Sequence, residues 1–133
     1  MKTERILAAA MLIAGCALAL PQAQAQQAGI ARTELGRHDL GDAVREVAQV
    51  RVDFSPGAAF PRHSHPGVEV AYVLEGTLEY RLEGSPPVTL KAGDSLFIPA
   101  GTVHAARNAG SGNAVELATY VIDKGRPSVV IAP

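Results

Sequence analysis

Four residues with metal-binding side chains carry the chemistry that this sequence suggests. His63, His65 and Glu69 lie on one short segment, at even separations that place their side chains on one face of an extended chain. One segment cannot enclose an ion, so a further ligand must come from a distant strand. His104 is the only other histidine in the part of the sequence with strand patterns. We therefore predict that one metal ion binds to His63, His65, Glu69 and His104.

Imidazole and carboxylate ligands limit the metals and reactions that this group suits. They bind iron, manganese, nickel, copper or zinc, and affinity alone favours copper and zinc over iron and manganese. Four protein ligands leave positions open on a five- or six-coordinate ion, where water, oxygen or a substrate can bind. The sequence thus predicts one divalent transition metal (Fe, Mn, Zn, Cu or Ni) and a small-molecule ligand or substrate.

Glycine, proline and asparagine residues surround these ligands at regular spacings. The first half reads Gly, five residues, His-x-His, three residues, Glu, six residues, Gly; the second reads Gly, five residues, Pro-x-Gly, two residues, His, three residues, Asn. The segment resembles both motifs of the cupin family, and the chain resembles its quercetin-dioxygenase-like group. The matching positions are Gly57, His63, His65, Glu69 and Gly76, followed after 16 residues by Gly93, Pro99, Gly101, His104 and Asn108.

The resemblance implies an all-β fold, the double-stranded β-helix or jelly-roll barrel, with the metal inside its mouth and the same four ligands. It also implies metal-dependent dioxygenase, decarboxylase, isomerase or lyase chemistry on a small molecule that bears a carboxylate or an enol. Members of the family commonly form homodimers, and an outward row of Val68, Val70 and Tyr72 would supply an apolar face for one. We interpret the motif glycines as turn residues and Asn108 as a turn residue or an anchor behind the ligands.

Two interpretations without catalysis remain open. The protein can be a metal carrier or a module that binds an anionic ligand without turnover. Alternatively, a structural zinc can stabilise a protein that acts through its surface, although structural sites usually have a closed coordination shell. The sequence reveals no obvious acid or base beside Glu69. Five further residues suit either a pocket or ordinary packing and surface positions, namely Phe60, Arg62, Tyr80, Phe97 and Arg107.

Short strands must position these residues. From residue 44 to 54 apolar and polar side chains alternate, which is typical of a strand with one buried face. About eight such runs are separated by Gly and Pro turns, and no long helical period follows the leader. Residues 68–74 and 78–82 are predicted to form a hairpin around Gly76. The pattern indicates an all-β sandwich or barrel over residues 44–133.

Composition and the segment before the barrel restrict the interpretation further. Residues 26–43 lack a convincing period, so we predict a flexible lead-in with room for a short edge strand, and His38 there is predicted to lie on the surface. Aromatic residues make up 5% of the chain with no Trp, so an aliphatic core is expected. The net charge is −1 without a basic patch, so no nucleic-acid partner is expected.

The first 25 residues are predicted to be a signal peptide. Lys2 and Arg5 precede an apolar run over residues 6–20, and a small-x-small site favours cleavage after Ala25. The mature protein would then be periplasmic or secreted and would lack cysteine, so its metal ligands must be His and carboxylate. Cys16 ends a stretch that also resembles a lipoprotein box, and the alternative is a lipoprotein anchored to the membrane at Cys16.

Overall fold

The computed structural model describes residues 27–133, and the predicted signal peptide with Cys16 therefore lies outside the described residues. Within this range the chain forms strands and no helix, and thus no helix long and apolar enough to cross a membrane. The strands are β1 (Ile30–Asp39), β2 (Arg45–Phe54), β3 (Ala59–Ser64), β4 (Gly67–Glu75), β5 (Thr77–Leu82), β6 (Val88–Lys91), β7 (Ser95–Ile98), β8 (His104–Asn108), β9 (Ala114–Asp123) and β10 (Val130–Ile131).

The strands form two five-stranded antiparallel sheets. The first sheet has the order β1-β2-β9-β4-β7, and the second sheet has the order β10-β3-β8-β5-β6. Most neighbours within a sheet are distant in sequence, and the chain passes repeatedly from one sheet to the other. The all-β jelly-roll barrel that the sequence predicted is confirmed.

The core lies between the inner faces of the two sheets. In β2, Val50, Val52 and Phe54 are buried and alternate with more exposed polar residues, as the period of two predicts. Aliphatic side chains do not fill this core alone, because Tyr80 and Tyr120 are each only 1% exposed and are the largest fully buried side chains. The expectation of an aliphatic core without rings was therefore wrong, since few rings are present but most sit at the centre.

The predicted hairpin around Gly76 is also wrong. β4 pairs with β7 and β9, whereas β5 pairs with β6 and β8, so each strand has both edges occupied by other partners. Gly76 instead carries the chain from the first sheet to the second, with φ +76°. A Cβ atom there would lie 2.4 Å from the carbonyl oxygen of Asn113, so only glycine fits this crossing.

The lead-in contains a longer strand than the sequence predicts. β1 occupies ten residues of this segment and forms the edge of the first sheet against β2, with a register shift between Glu34 and Gly36. Polar Arg32 and Glu34 have the same parity as the buried Ile30, and Leu35 is exposed, which obscures the period of a one-sided strand in the sequence. The consequence for the site is that β1 sends a side chain, Arg32, towards the interior of the barrel.

Candidate metal centre

The four predicted ligands come together in the interior of the barrel. Each of His63, His65, Glu69 and His104 offers one nitrogen or oxygen atom, and these atoms all lie within 4.8 Å of one another. All four side chains are buried, with exposed fractions of 2–4%. The second sheet supplies two of them and the first sheet one, while His65 lies on the connection between β3 and β4. The sheets must pack together to form this group.

A bulge in β3 brings His63 into the site. Phe60 pairs with Ala106 and His63 pairs with His104, so the interval between the two pairs is one residue longer on β3 than on β8. Phe60 and His63 are three positions apart, so a regular strand would place them on opposite faces, yet both are buried. Without the extra residue, one of the two side chains would face outwards. The bulge therefore allows one short strand to place both an aromatic ring and a ligand inside the barrel.

Backbone carbonyls fix the orientation of all three imidazole rings. His63 Nδ1 donates to the carbonyl of Pro61 at 2.8 Å, and His104 Nδ1 donates to that of Thr102 at 2.9 Å. His65 Nδ1 donates to the carbonyl of Ser128, which precedes β10. With the proton on Nδ1, the Nε2 lone pair of each ring is left for a metal. The backbone thus selects the tautomer that a metal site requires.

The spacing of the ligand atoms suits a divalent ion. Glu69 Oε2 lies 2.8 Å from His65 Nε2 and 3.2 Å from His104 Nε2. Two ligands with bonds of about 2.1 Å at right angles would be about 3.0 Å apart. With the ring proton on Nδ1, His65 Nε2 and Glu69 Oε2 are both acceptors, so they do not bond to each other, and both are buried without a hydrogen-bond partner within residues 27–133. Buried polar atoms normally have a partner, and a shared metal ion would satisfy both.

Electrostatics keep the group in the form that binds a metal. Burial, followed by the nearby His104, lowers the pKa of His63 to about 3, so its imidazole is neutral at physiological pH. Burial alone would raise the pKa of Glu69, but the adjacent rings of His104 and His65 outweigh it and hold this pKa below its usual range. Glu69 is consequently an anionic carboxylate, the form that coordinates cations.

Three residues that sequence analysis missed surround the ligands. Glu116 and Tyr120 project inwards from β9, and Arg32 projects inwards from β1; all three line the cavity beside the metal-binding group. Burial, and then the charge of Glu69, raises the pKa of Glu116, which favours a neutral carboxyl. Glu116 is thus a buried acid beside Glu69, contrary to the interpretation that none is present. The alternation of β9 could have found it, because Glu116 has the inward parity of Ala118.

The remaining candidates from the sequence fall into two groups. Phe60 and Tyr80 line the cavity, whereas Phe97 is 59% exposed and Arg62 and Arg107 form exposed ion pairs with Glu83 and Glu79. His38 is exposed on β1. The motif residues Gly57, Gly93, Pro99 and Gly101 lie between strands, and these three glycines have positive φ.

Asn108 joins the turn after β8 to the end of β2. Its side-chain nitrogen, Nδ2, donates to the carbonyls of Gly112 at 2.7 Å and of Phe54 and Ser55, both at 3.2 Å. Its side-chain oxygen accepts from the amide of Gly110 at 2.9 Å. It is 1% exposed and lies at the end of β8 away from His104. These contacts are those of a turn residue and none of them reaches a metal-binding side chain, so a role as an anchor behind the ligands stays a prediction.

A small cavity adjoins the ligands, and a larger groove shares Arg32 with it. The cavity against them has a volume of about 10 Å³, room for one ion or water molecule. A groove of about 510 Å³ opens beyond it, lined by β1, β2 and the segment before β10. Arg32 borders both spaces. The groove falls in the size range of small-molecule sites, and Arg32 separates it from the ligands.

Comparison with known proteins gives a family match. The family model described as "Cupin domain" matches residues 50–122, more than half of the chain. Dimethylsulfoniopropionate lyase DddQ of Ruegeria pomeroyi is 43% identical over 51 residues, which are 38% of this chain and 25% of that protein. Germin-like protein 1-1 of Oryza sativa subsp. japonica is 35% identical over 79 residues, covering 56% of this chain and 37% of the relative.

Solved structures of related proteins resemble this chain as well. The crystal structure of DddQ superposes with a TM-score of 0.65 and 25% identity, covering 86% of this chain and 56% of DddQ. Oxalate oxidase superposes with a TM-score of 0.62 and 28% identity, covering 79% of this chain and 56% of the oxidase. The chain spans less than half the length of these curated relatives and little more than half of the solved chains.

Proposed function

The chain belongs to the cupin family, and on that basis we propose that it is a metal-dependent enzyme acting on a small organic molecule that bears a carboxylate or an enol. One observation carries the proposal, namely three tautomer-fixed histidines and one carboxylate converging in a buried cavity. An adjoining groove gives room for a substrate. Structural metal sites usually have a closed coordination shell, whereas a group of this kind beside a groove fits an ion with open positions.

Each part of the site has a role in this proposal. His63, His65, His104 and Glu69 hold the ion, which when bound supplies a Lewis acid that polarises a coordinated oxygen of the substrate. The Tyr120 hydroxyl lies beside the ligands, and the His65 ring is 4.6 Å from the Tyr120 ring between centroids. Burial raises the pKa of Tyr120, so this hydroxyl keeps its proton and can donate a hydrogen bond to substrate.

The reaction class is proposed from relatives and stays broad. DddQ is named a lyase, and solved neighbours include an oxalate oxidase and an oxalate decarboxylase. The four classes expected from the sequence are carried forward, namely lyase, decarboxylase, isomerase and dioxygenase, and these relatives support the first two. Fold similarity alone does not choose among them, because one fold hosts many reactions.

A product screen tests the proposed activity. The metal-free protein would be reloaded separately with Fe, Mn, Zn, Cu or Ni and incubated with a panel of small carboxylic acids and enols, with products detected by mass. The matched control is His104→Ala carried through the same loading. Turnover that depends on both the metal and His104 supports the proposal. A protein that holds metal but converts no member of the panel under any loading counts against it.

A second function is a binding module that holds the metal or a ligand without turnover. The observation in its favour is the small cavity of about 10 Å³ against the ligands, which leaves little space for a reacting group. The two functions differ in the fate of a bound acid. Recovery of every tested acid unchanged, with tight binding to the metal-loaded protein, would favour the binding module.

Export is proposed together with this activity. A cleaved leader would place folding in the periplasm or outside the cell, where copper and zinc compete with iron and manganese for His and carboxylate ligands. Mass spectrometry of the mature protein would show an N-terminus at Gln26 for cleavage after Ala25, and a lipid-modified Cys16 for the lipoprotein alternative. Elemental analysis of protein purified from its own compartment would identify the metal.

A further inference from the structure

Arg32 occupies an unusual position for an arginine on an edge strand. Its neighbour across the sheet is the buried Val52, and its side chain follows the inner face of the barrel. Arg32 Nη2 lies 3.5 Å from the hydroxyl of Tyr120, 88 residues away in the sequence. The guanidinium carbon is 5.4 Å from the centre of the Phe60 ring, a cation–π contact that restricts its movement. Arg32 is thus held at the entrance to the metal-binding cavity.

The charge of Arg32 lacks a partner, unlike that of every other arginine in the described chain. Residues 27–133 contain eight arginines, and seven of them form an ion pair with a carboxylate of this range. Arg32 is the exception, although it is partly buried; Arg51 is the one other partly buried arginine of this range, and it is paired with Asp53. Desolvating a guanidinium without an anion is costly, so a site that keeps one is suited to receiving an anion.

The anion would have to lie between Arg32 and the metal-binding group. Arg32 borders both the 510 Å³ groove and the 10 Å³ cavity, and therefore a ligand that enters by the groove reaches Arg32 before the four ligands. With a divalent ion bound, Glu69 is the one anionic ligand among them. The two positive centres together favour a ligand with negative charge. A planar guanidinium matches a carboxylate because both oxygens can accept hydrogen bonds from it.

We propose that Arg32 is the specificity-determining residue that binds the carboxylate of the substrate, with the Tyr120 hydroxyl beside it as a second donor. This inference rests on the proposed function and narrows it, because it selects organic acids over neutral enols. The Phe60 ring contacts the guanidinium and lines the cavity but not the groove. Arg32 acts by binding and orienting the acid.

A binding experiment on the cobalt-loaded protein separates the inference from the proposed activity. The probes are glycolate and its neutral analogue glycolamide, titrated by calorimetry and by the visible bands of cobalt. Wild-type protein should bind glycolate more tightly than glycolamide. Arg32→Met should weaken glycolate binding by roughly 10- to 100-fold, the loss expected for a charged hydrogen bond, and glycolamide binding by much less. Arg32→Lys keeps the charge but lacks the planar guanidinium, so its glycolate affinity should lie between those of the wild type and Arg32→Met.

Arg62→Met is the matched control. Arg62 precedes a proposed ligand and carries the same charge, but it is exposed and paired with Glu83 at 2.8 Å. Its removal should leave glycolate binding within about twofold, since exposed charges contribute little. Equal glycolate affinity in wild type and Arg32→Met, or equal weakening by Arg32→Met and Arg62→Met, would overturn the role of Arg32 alone. Failure of the cobalt-loaded wild type to bind either probe would overturn the proposed function as well.

Discussion

His63 and His104 are directly paired across β3 and β8, and their ring centroids are 4.2 Å apart. Burial, and then the closeness of His104, makes a positive charge on His63 costly and lowers its pKa to about 3. Both rings are oriented by backbone carbonyls two residues earlier in the chain, Pro61 and Thr102. His63 is therefore held neutral, and both rings are oriented for a cation to bind between the two strands.

Removal of a predicted ligand should abolish stable metal binding. In His63→Ala or His104→Ala, affinity should fall by more than the roughly 10- to 100-fold that loss of a hydrogen bond behind a ligand costs. Metal content after dialysis and calorimetric titration measure the effect. His38→Ala is the control, because His38 is exposed and lies outside the site. Full metal content in both ligand variants would refute the assignment.

The stability of the metal-free protein should fall in mild acid. The pKa of His63 is lowered to about 3 by burial, with the nearby His104 adding to the effect, whereas an unfolded histidine titrates near 6.5. Between these values the unfolded chain binds the proton and the folded chain does not, so acid favours unfolding. The contribution of His63 is complete above the unfolded pKa and is lost as pH falls towards 3. Urea denaturation at several pH values measures this slope.

His63→Gln is the comparison for the acid effect. A neutral side chain that does not titrate should give a shallower fall in unfolding free energy over the same pH range. Identical slopes for the metal-free wild type and the variant would mean that His63 does not carry the effect. With metal bound, the fall should begin as protons displace the ion from the imidazoles.

Two replacements of Glu116 should show whether its carboxyl contributes to stability in the neutral or in the charged form. Burial raises the pKa of this carboxyl, and it lies beside Glu69 and the Tyr80 hydroxyl. Glu116→Gln keeps a neutral group of the same shape, so metal affinity and stability should change little. Glu116→Ala leaves a cavity in the buried site and should lower the free energy of unfolding by about 2–4 kcal/mol. Chemical denaturation checks both variants; an equally large loss in Glu116→Gln would indicate that the charged form is required.

Gly76→Ala should be severely destabilising. The new Cβ would lie 2.4 Å from the carbonyl oxygen of Asn113, in addition to the strain of φ +76°. Gly84→Ala is the matched control, because Gly84 has φ +79° with open space around it. The free energy of unfolding should fall by about 1–2 kcal/mol in the control because of backbone strain alone, and by clearly more in Gly76→Ala. Similar losses in thermal and urea unfolding would show that the close packing at Gly76 relaxes easily.

A homodimer is still expected, through the outer face of the first sheet. Val70, Tyr72, Leu74 and Phe97 are 40–59% exposed, and Val70 and Phe97 are paired on neighbouring strands. Burial of this face would remove apolar surface from water. Light scattering should give a dimer for the wild type and a monomer for Phe97→Glu. Val44→Glu, outside this face, should remain dimeric; a monomeric wild type at micromolar concentration would contradict the expectation.

The sequence by itself determined the fold class and the four residues of the site. A period of two in short runs separated by Gly and Pro identifies strands, because strand geometry fixes which side chains share a face. The spacing of His63, His65, Glu69 and His104 within the two motifs identified the ligands. Their expected placement on one face of one extended segment was wrong, because His63 and Glu69 lie on strands of different sheets and His65 lies on the connection between them.

Only the tertiary structure decided which strands meet. Gly76 resembled a hairpin turn but carries the chain between sheets, because β4 and β5 each find two other partners. The bulge in β3 reversed the parity between Phe60 and His63. Arg32 and Glu116 reach the site from β1 and β9, the strands on either side of β2 in the first sheet. Such contacts depend on strand order and on the packing of the two sheets. Both are determined by the whole chain, so no periodic pattern within one segment predicts them.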